Sequence, residues 1–238
     1  MSGHSKWANI KRKKEVNDKL RGSLFTKLTR MITLAVLEGN GMTDPDYNFR
    51  LRLAIDKAKQ LNMPKDNIAR AIEKGIGPNK SQLKELFYEG FAPGGVALII
   101  HATTDNHNRT MSEIRNVMEK GGGKLGDQGA VAYLFQKCGV VMVDKQANSQ
   151  EAVLAFADRI GAFDIEEDDE SFIVYFPFER LGKIRDQFQG LTAPAAELCF
   201  RPTTSVTVAD PALFDRVTRL AESLESLDDV HGVYTNLS

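Results

Sequence analysis

Nine lysines and arginines fall within the first thirty residues: Lys6, Lys11, Arg12, Lys13, Lys14, Lys19, Arg21, Lys27 and Arg30. Only Glu15 and Asp18 oppose them, and the one tryptophan of the chain, Trp7, lies among them. Cations at this density repel one another unless an anion lies alongside. Clustered basic side chains with a ring between them are the electrostatic footprint of a nucleic-acid contact. The chemistry would be neutralisation of backbone phosphates, with Trp7 either stacking on an unpaired base or packing against nearby helices. The competing reading is a solvated helix face or a free basic arm.

Other reactive residue types are present without the company they need. His101, Asp105 and His107 are the nearest approach to a metal or acid–base cluster, but a metal site wants three or four convergent donors. His101 sits in an apolar stretch and reads as a sheet residue, with Asp105, Asn106 and Asn108 shaping a turn and capping a helix. The glycine-rich stretch Gly121 to Gly129 fails the phosphate-loop pattern, because it follows a helical segment and Lys124 precedes leucine. It reads as a helix stop and a hinge. Cys138 and Cys199 are far apart in apolar surroundings and read as buried, reduced thiols. No local signature of a catalytic triad occurs. The expectation is a protein with no catalytic residues, no metal and no cofactor.

The net charge of −1 over 238 residues conceals an asymmetry. Residues 1–80 hold 17 Lys/Arg against 8 Asp/Glu, whereas the rest hold 14 against 24. A basic head on an acidic body predicts that the head meets a polyanion. No apolar run approaches the roughly twenty residues of a membrane span, and no secretory signal is evident. These features predict a cytoplasmic protein with no membrane partner.

The elements that must carry the head are helical. Leu20, Leu24, Leu28, Met31 or Ile32, and Ala35 make one apolar face, which stops at Glu38-Gly39-Asn40-Gly41. Asp44-Pro45 is expected to cap a second helix with Phe49, Leu53, Ala54, Ala58 and Leu61 inward. Pro64 restarts the chain into a third, with Ile68, Ala71 and Ile72 buried and Gly75 and Gly77 at its end. Beyond residue 80, Gly95 to Thr104 reads as a strand, Met111 to Met118 as a helix and Ala130 to Phe135 as a strand. A helix capped by Asp210-Pro211 and a strand from Val230 to Leu237 complete that domain from the C-terminus. The block between has strand, helix, strand, strand, helix, strand: the split-βαβ or ferredoxin-like order. Asn148 and Glu151 are spaced as a capping box for its first helix. Phe172, Val174 and Phe176 share a strand face and read as core, since the acids Glu166 to Glu170 beside them would repel phosphate.

Several stretches, in order, carry a resemblance. Gly3-His4-Ser5-Lys6-Trp7, Ile10-Lys11, Asp18, Arg21-Gly22 and Phe25-Thr26-Lys27-Leu28 resemble the opening of the YebC family. Asp44-Pro45, Asn48, Leu51-Arg52, Ala54-Ile55, Ala58-Lys59 and Asn62-Met63-Pro64 continue it. Tyr88 to Gly95 and Thr104 to Thr110 extend it, so the similarity runs nearly the whole length. The resemblance implies a DNA-binding transcriptional regulator; the family also includes mitochondrial translational activators and ribosome-associated bacterial members.

The sequence thus predicts an α+β protein of three parts. They are a basic three-helix nucleic-acid-binding domain at 1–80 and two ferredoxin-like α/β domains, one inserted in the other: a discontinuous one at 81–136 and 206–238, and the inserted one at 137–205. The expected function is non-enzymatic regulation of gene expression through DNA. The alternative is a translation factor on ribosomal or messenger RNA, possible ribosome association included; a third is a protein-interaction scaffold. Phosphate contacts alone do not separate DNA from RNA.

Overall fold

The computed structural model describes residues 18–77, 82–192 and 195–238, with side chains from Gly22 onward, that of Ala195 excepted. The fold is α+β, with helices first and two antiparallel sheets after them. It divides into two compact units, Met1–Gln136 with Pro202–Ser238, and Lys137–Arg201. The helices of the head and the first sheet therefore belong to one unit.

The head comprises α1 (Asp18–Glu38), α2 (Phe49–Gln60) and α3 (Lys65–Ile76). Leu28, Ile32, Ala35 and Val36 of α1 meet Leu51, Ala54, Ile55 and Ala58 of α2 and Ile68 and Ala71 of α3. The third helix ends where its glycines suggest, with Gly77 as the C-cap and Gly75 buried in the last turn. A Cβ there would sit 2.6 Å from Cβ of Val36, so glycine is what lets α1 and α3 approach. Asp44-Pro45 does not cap α2. The cap is Asn48, whose Oδ1 accepts from the Leu51 amide at 3.1 Å while its Nδ2 donates to the Ala35 carbonyl at 2.8 Å. A buried Asn that serves two elements outcompetes Asp44, which instead closes its own turn by accepting from the Asp46 amide.

The first sheet has the order β3-β1-β2-β8, from β1 (Lys84–Phe91), β2 (Ala97–Thr104), β3 (Lys124–Leu125) and β8 (Val230–Thr235). Strand β1 was not assigned from sequence, because Lys84, Glu85, Glu89 and Gly90 interrupt its apolar pattern. Helices α4 (His107–Gly121) and α6 (Pro211–Glu225) cover one face, burying Leu98, Ile100, Ile114, Met118, Val217, Leu220 and Leu224. Every residue of β2 is buried, so its second face is covered too, and α1 lies against it.

Of Ala130 to Phe135, expected as a strand, only Phe135 is one; residues 130–134 are a loop that ends in a 3-10 turn at Ala132–Leu134. The cause is Glu89 on β1, buried at 8% exposure. Its carboxylate accepts from the amides of Gly129 at 2.7 Å, Val131 at 2.7 Å and Ala132 at 2.8 Å. Amides that converge on one carboxylate cannot also serve a ladder. The end of the glycine-rich stretch and the residues just after it bind an anion, and the anion is the protein's own.

The second unit adds β4 (Phe135–Asp144), α5 (Gln150–Ile160), β5 (Asp164–Glu167), β6 (Ser171–Pro177) and β7 (Ala195–Pro202). Its order β5-β6-β4-β7 is that of the ferredoxin-like sheet, with β4 as first strand. Phe172, Val174 and Phe176 are buried, and Gly139 opposite Phe176 leaves room for its ring. The expected second helix is a 3-10 run, Phe178–Gln187. Leu181 and Ile184 are its buried positions, three residues apart, which is the repeat of a 3-10 helix. Ser149, one residue beyond the expected Asn148, caps α5 through the Ala152 amide; Asn148 instead binds the Asp144 carbonyl and the Thr192 amide.

Burial raises the Glu89 carboxyl, but the three amides outweigh it and hold the group below the usual carboxylate value. A lowered folded pKa contributes stability that is present above the unfolded value of about 4.3 and lost as pH falls through the folded one. Glu89→Gln is therefore expected to cost roughly 1.5–3 kcal/mol at neutral pH. Thermal melts should show that deficit shrinking as pH falls below about 4.3, where the unfolded carboxyl takes up its proton before the native one does.

Candidate nucleic-acid interface

Of the ten residues singled out by charge, Lys6, Trp7, Lys11, Arg12, Lys13 and Lys14 lie outside the described residues. Lys19 and Arg21 stand on the first turns of α1, where only the backbone is described. Lys27 and Arg30 are described in full, and both are engaged with the body. Lys27 Nζ donates to the Glu225 carbonyl at the end of α6, and Arg30 pairs with Asp229 just before β8. Ser23, one helical turn earlier, donates to Asp228 Oδ1 at 2.9 Å. Exposed cations of the head elsewhere are Lys59, Lys65, Arg70 and Lys74.

Asp229 is 3% exposed and is absent from the residues that the sequence singles out. Nothing in the local pattern marks it. Its importance comes from where the fold brings it. Besides Arg30, its carboxylate receives Arg109 Nη2 at 3.0 Å and the Thr110 hydroxyl. Its backbone carbonyl accepts from the Thr103 amide at 2.8 Å. The residues Thr104 to Thr110 serve this arrangement. Asn106 caps α4 through the Arg109 amide at 3.1 Å, and Thr104 Oγ1 accepts from the Asn106 amide at 2.9 Å and lies 2.8 Å from Thr110 Oγ1, whose own proton goes to Asp229. Arg109 also reaches Asp105 at 2.9 Å.

Beneath α1 the sheet carries two imidazoles. His101 Nε2 bonds Glu85 at 2.9 Å and its ring stacks on Phe87 at 4.7 Å. His107 is elsewhere, bonded to the Tyr88 hydroxyl at 3.1 Å, so the structure separates the two histidines that sequence grouped. Burial raises the Glu85 carboxyl, while His101 and Arg50 together draw it below the usual range. His231 on β8 meets His101 edge-on at 5.5 Å. Both ring nitrogens of His231 are buried without a hydrogen-bond partner. Burial, then the charges of His101, Lys27, Lys57 and Arg30, press its pKa well below the ordinary value.

A base whose folded pKa is depressed is neutral in the native state while the unfolded chain already takes up a proton at about pH 6.5. Stability from this source is full above that pH and falls as pH drops below it. Melting temperatures of the wild type should decline between about pH 6.5 and 5 more steeply than those of His231→Phe. Parallel curves for the two proteins would contradict the assignment.

Comparison with known proteins places this geometry. Residues 5–78 match the family model described as the TACO1/YebC protein N-terminal domain, and residues 83–237 match the TACO1/YebC second and third domain. A probable transcriptional regulatory protein of Roseiflexus castenholzii is 48% identical over 100% of this chain and 95% of its own. One of Aquifex aeolicus is 44% identical over 99% and 95%. The crystal structure of a conserved hypothetical protein from Aquifex aeolicus superimposes with a TM-score of 0.84 at 41% identity, covering 92% of this chain and 90% of that one. With matches across both halves of the sequence and over nearly its whole length, the chain belongs to the TACO1/YebC family.

Proposed function

We propose that the protein is a non-enzymatic, cytoplasmic regulator of gene expression that acts by binding nucleic acid through its basic head, with DNA in transcription as the leading target. The observation that carries this reading is the charge asymmetry: 17 Lys/Arg against 8 Asp/Glu in residues 1–80, on a remainder with 14 against 24. A polyanion is drawn to the first and repelled by the second. The names of the relatives, probable transcriptional regulatory proteins, support the regulatory part. Lys6, Lys11, Arg12, Lys13, Lys14, Lys19, Arg21, Lys27 and Arg30 are the phosphate contacts in this reading, with Trp7 beside them. The buried aromatics of the second sheet are core and offer no platform for bases.

Replacing Lys11, Arg12, Lys13 and Lys14 by alanine tests it. Each phosphate neutralised contributes roughly −0.9 to the slope of log affinity against log salt on duplex and roughly −0.7 on a single strand. The variant should bind every sequence more weakly and show a slope shallower by about two to four units. An unchanged slope in a variant with native circular dichroism would refute the head as the contact. Running duplex DNA and single-stranded RNA at the same salt separates transcriptional from translational targets.

A further inference from the structure

Ser23, Lys27 and Arg30 stand at i, i+4 and i+7 on α1 and so form one stripe along the helix. All three bond to a single five-residue segment, Glu225 to Asp229, where α6 turns into β8. We propose that this acidic turn is an internal competitor for the head's cations, and that the Lys27–Arg30 stripe is a phosphate-binding surface exposed only when α1 leaves it. The proposal rests on the reading that the head binds nucleic acid, and adds to it a surface and a way of closing it.

Three observations carry it. First, the turn's carboxylates are not stranded when α1 departs. Asp229 keeps Arg109 and the Thr110 hydroxyl, and Asp228 is exposed and returns to water. Breaking a buried ion pair is costly when it strands a charge, and here the carboxylate is not stranded. Second, the groups released on α1 suit phosphate. A guanidinium gives a planar fork of donors that matches two phosphate oxygens, and an ammonium adds a point charge. Third, the seam between head and sheet is poorly compensated. His231 lies edge-on to His101 at 5.5 Å, and both its ring nitrogens are buried without a hydrogen-bond partner. Native structures leave few buried polar atoms unpaired, and those few call for an explanation. A contact that must also open is one.

The turn and a phosphate chain would thus exclude each other on α1. The experiment is a reversible lock. Ser23 Oγ lies 2.9 Å from Asp228 Oδ1, so a Ser23→Cys/Asp228→Cys double variant of the full chain places two thiols on facing positions at the exposed end of the seam, and a free-thiol count verifies that they have joined. Oxidised, the disulfide holds α1 on the turn; a reductant frees it. Affinity for a labelled random-sequence DNA duplex and for single-stranded RNA is measured in both states at one salt concentration. The locked form should bind roughly tenfold more weakly, and reduction should restore affinity and steepen the salt slope by about two units on duplex. Equal affinity in both states, while the four-alanine variant still loses binding, would overturn the competitor and leave the head's function standing. Absence of binding in every form, wild type included, would overturn both. A second pair guards against a lock that does not close. Asp228→Ala removes the Ser23 contact and should tighten binding about two- to fivefold, whereas Glu222→Ala, the same charge change at an exposed position of α6, should not. Equal effects of the two substitutions would overturn the proposal.

Discussion

The carboxylate of Asp229 sits in the interior with three donors around it, and the arrangement of the first unit depends on that grouping. An ionised acid at 3% exposure is tenable only when charge and hydrogen bonds replace the water it has lost. Arg109 and Thr110 come from the first turn of α4, Arg30 from α1, and Asp229 itself from the turn just before β8. Three elements distant in sequence are thereby fixed about one point. The cap of α4 by Asn106 follows from the same need, since it aims Arg109 and Thr110 inward. Removing Asp229 would leave two guanidinium groups at a half-buried site, so its loss is expected to reach further than that of an ordinary surface acid.

Glu89 plays the corresponding part at the other edge of the sheet. It collects three amides of the loop that follows β3, and so decides that Ala130 to Leu134 turns rather than extends. Both acids replace a ligand by a side chain. Glu89 fills what would otherwise be an anion-binding nest of backbone amides, and the Glu225 to Asp229 turn takes up cations that a phosphate chain would claim. The acidic character of the body is thus partly internal wiring and partly exposed surface.

Much of this was legible in the sequence, and the limits have physical causes. The helices of the head, the ferredoxin-like order of the second unit and the strand around Ile100 follow from apolar periodicity, which depends on neighbours along the chain. The Asp210 cap with Pro211, and the stop of α4 at Gly122 with φ of 79°, follow from local backbone chemistry. Errors arose where a distant partner decided. Asn48 takes the cap from Asp44 because it also reaches Ala35, and the 130–134 segment answers to Glu89. The candidate site shows the same divide. Its cations could be counted, but Lys27 and Arg30 meet acids about two hundred residues away, and no local pattern pairs residues across such a gap.

The central claim is that nucleic acid and the acidic turn compete for one stripe of α1. Backbone amide exchange of the full chain, with and without a saturating nucleic acid, tests it most directly, because exchange reports local opening segment by segment. The account predicts that amides around Glu225 to Asp229 and the start of β8 exchange faster in the complex, while those of Ser23 to Arg30 exchange more slowly. Equal or greater protection of the turn in the complex would contradict it.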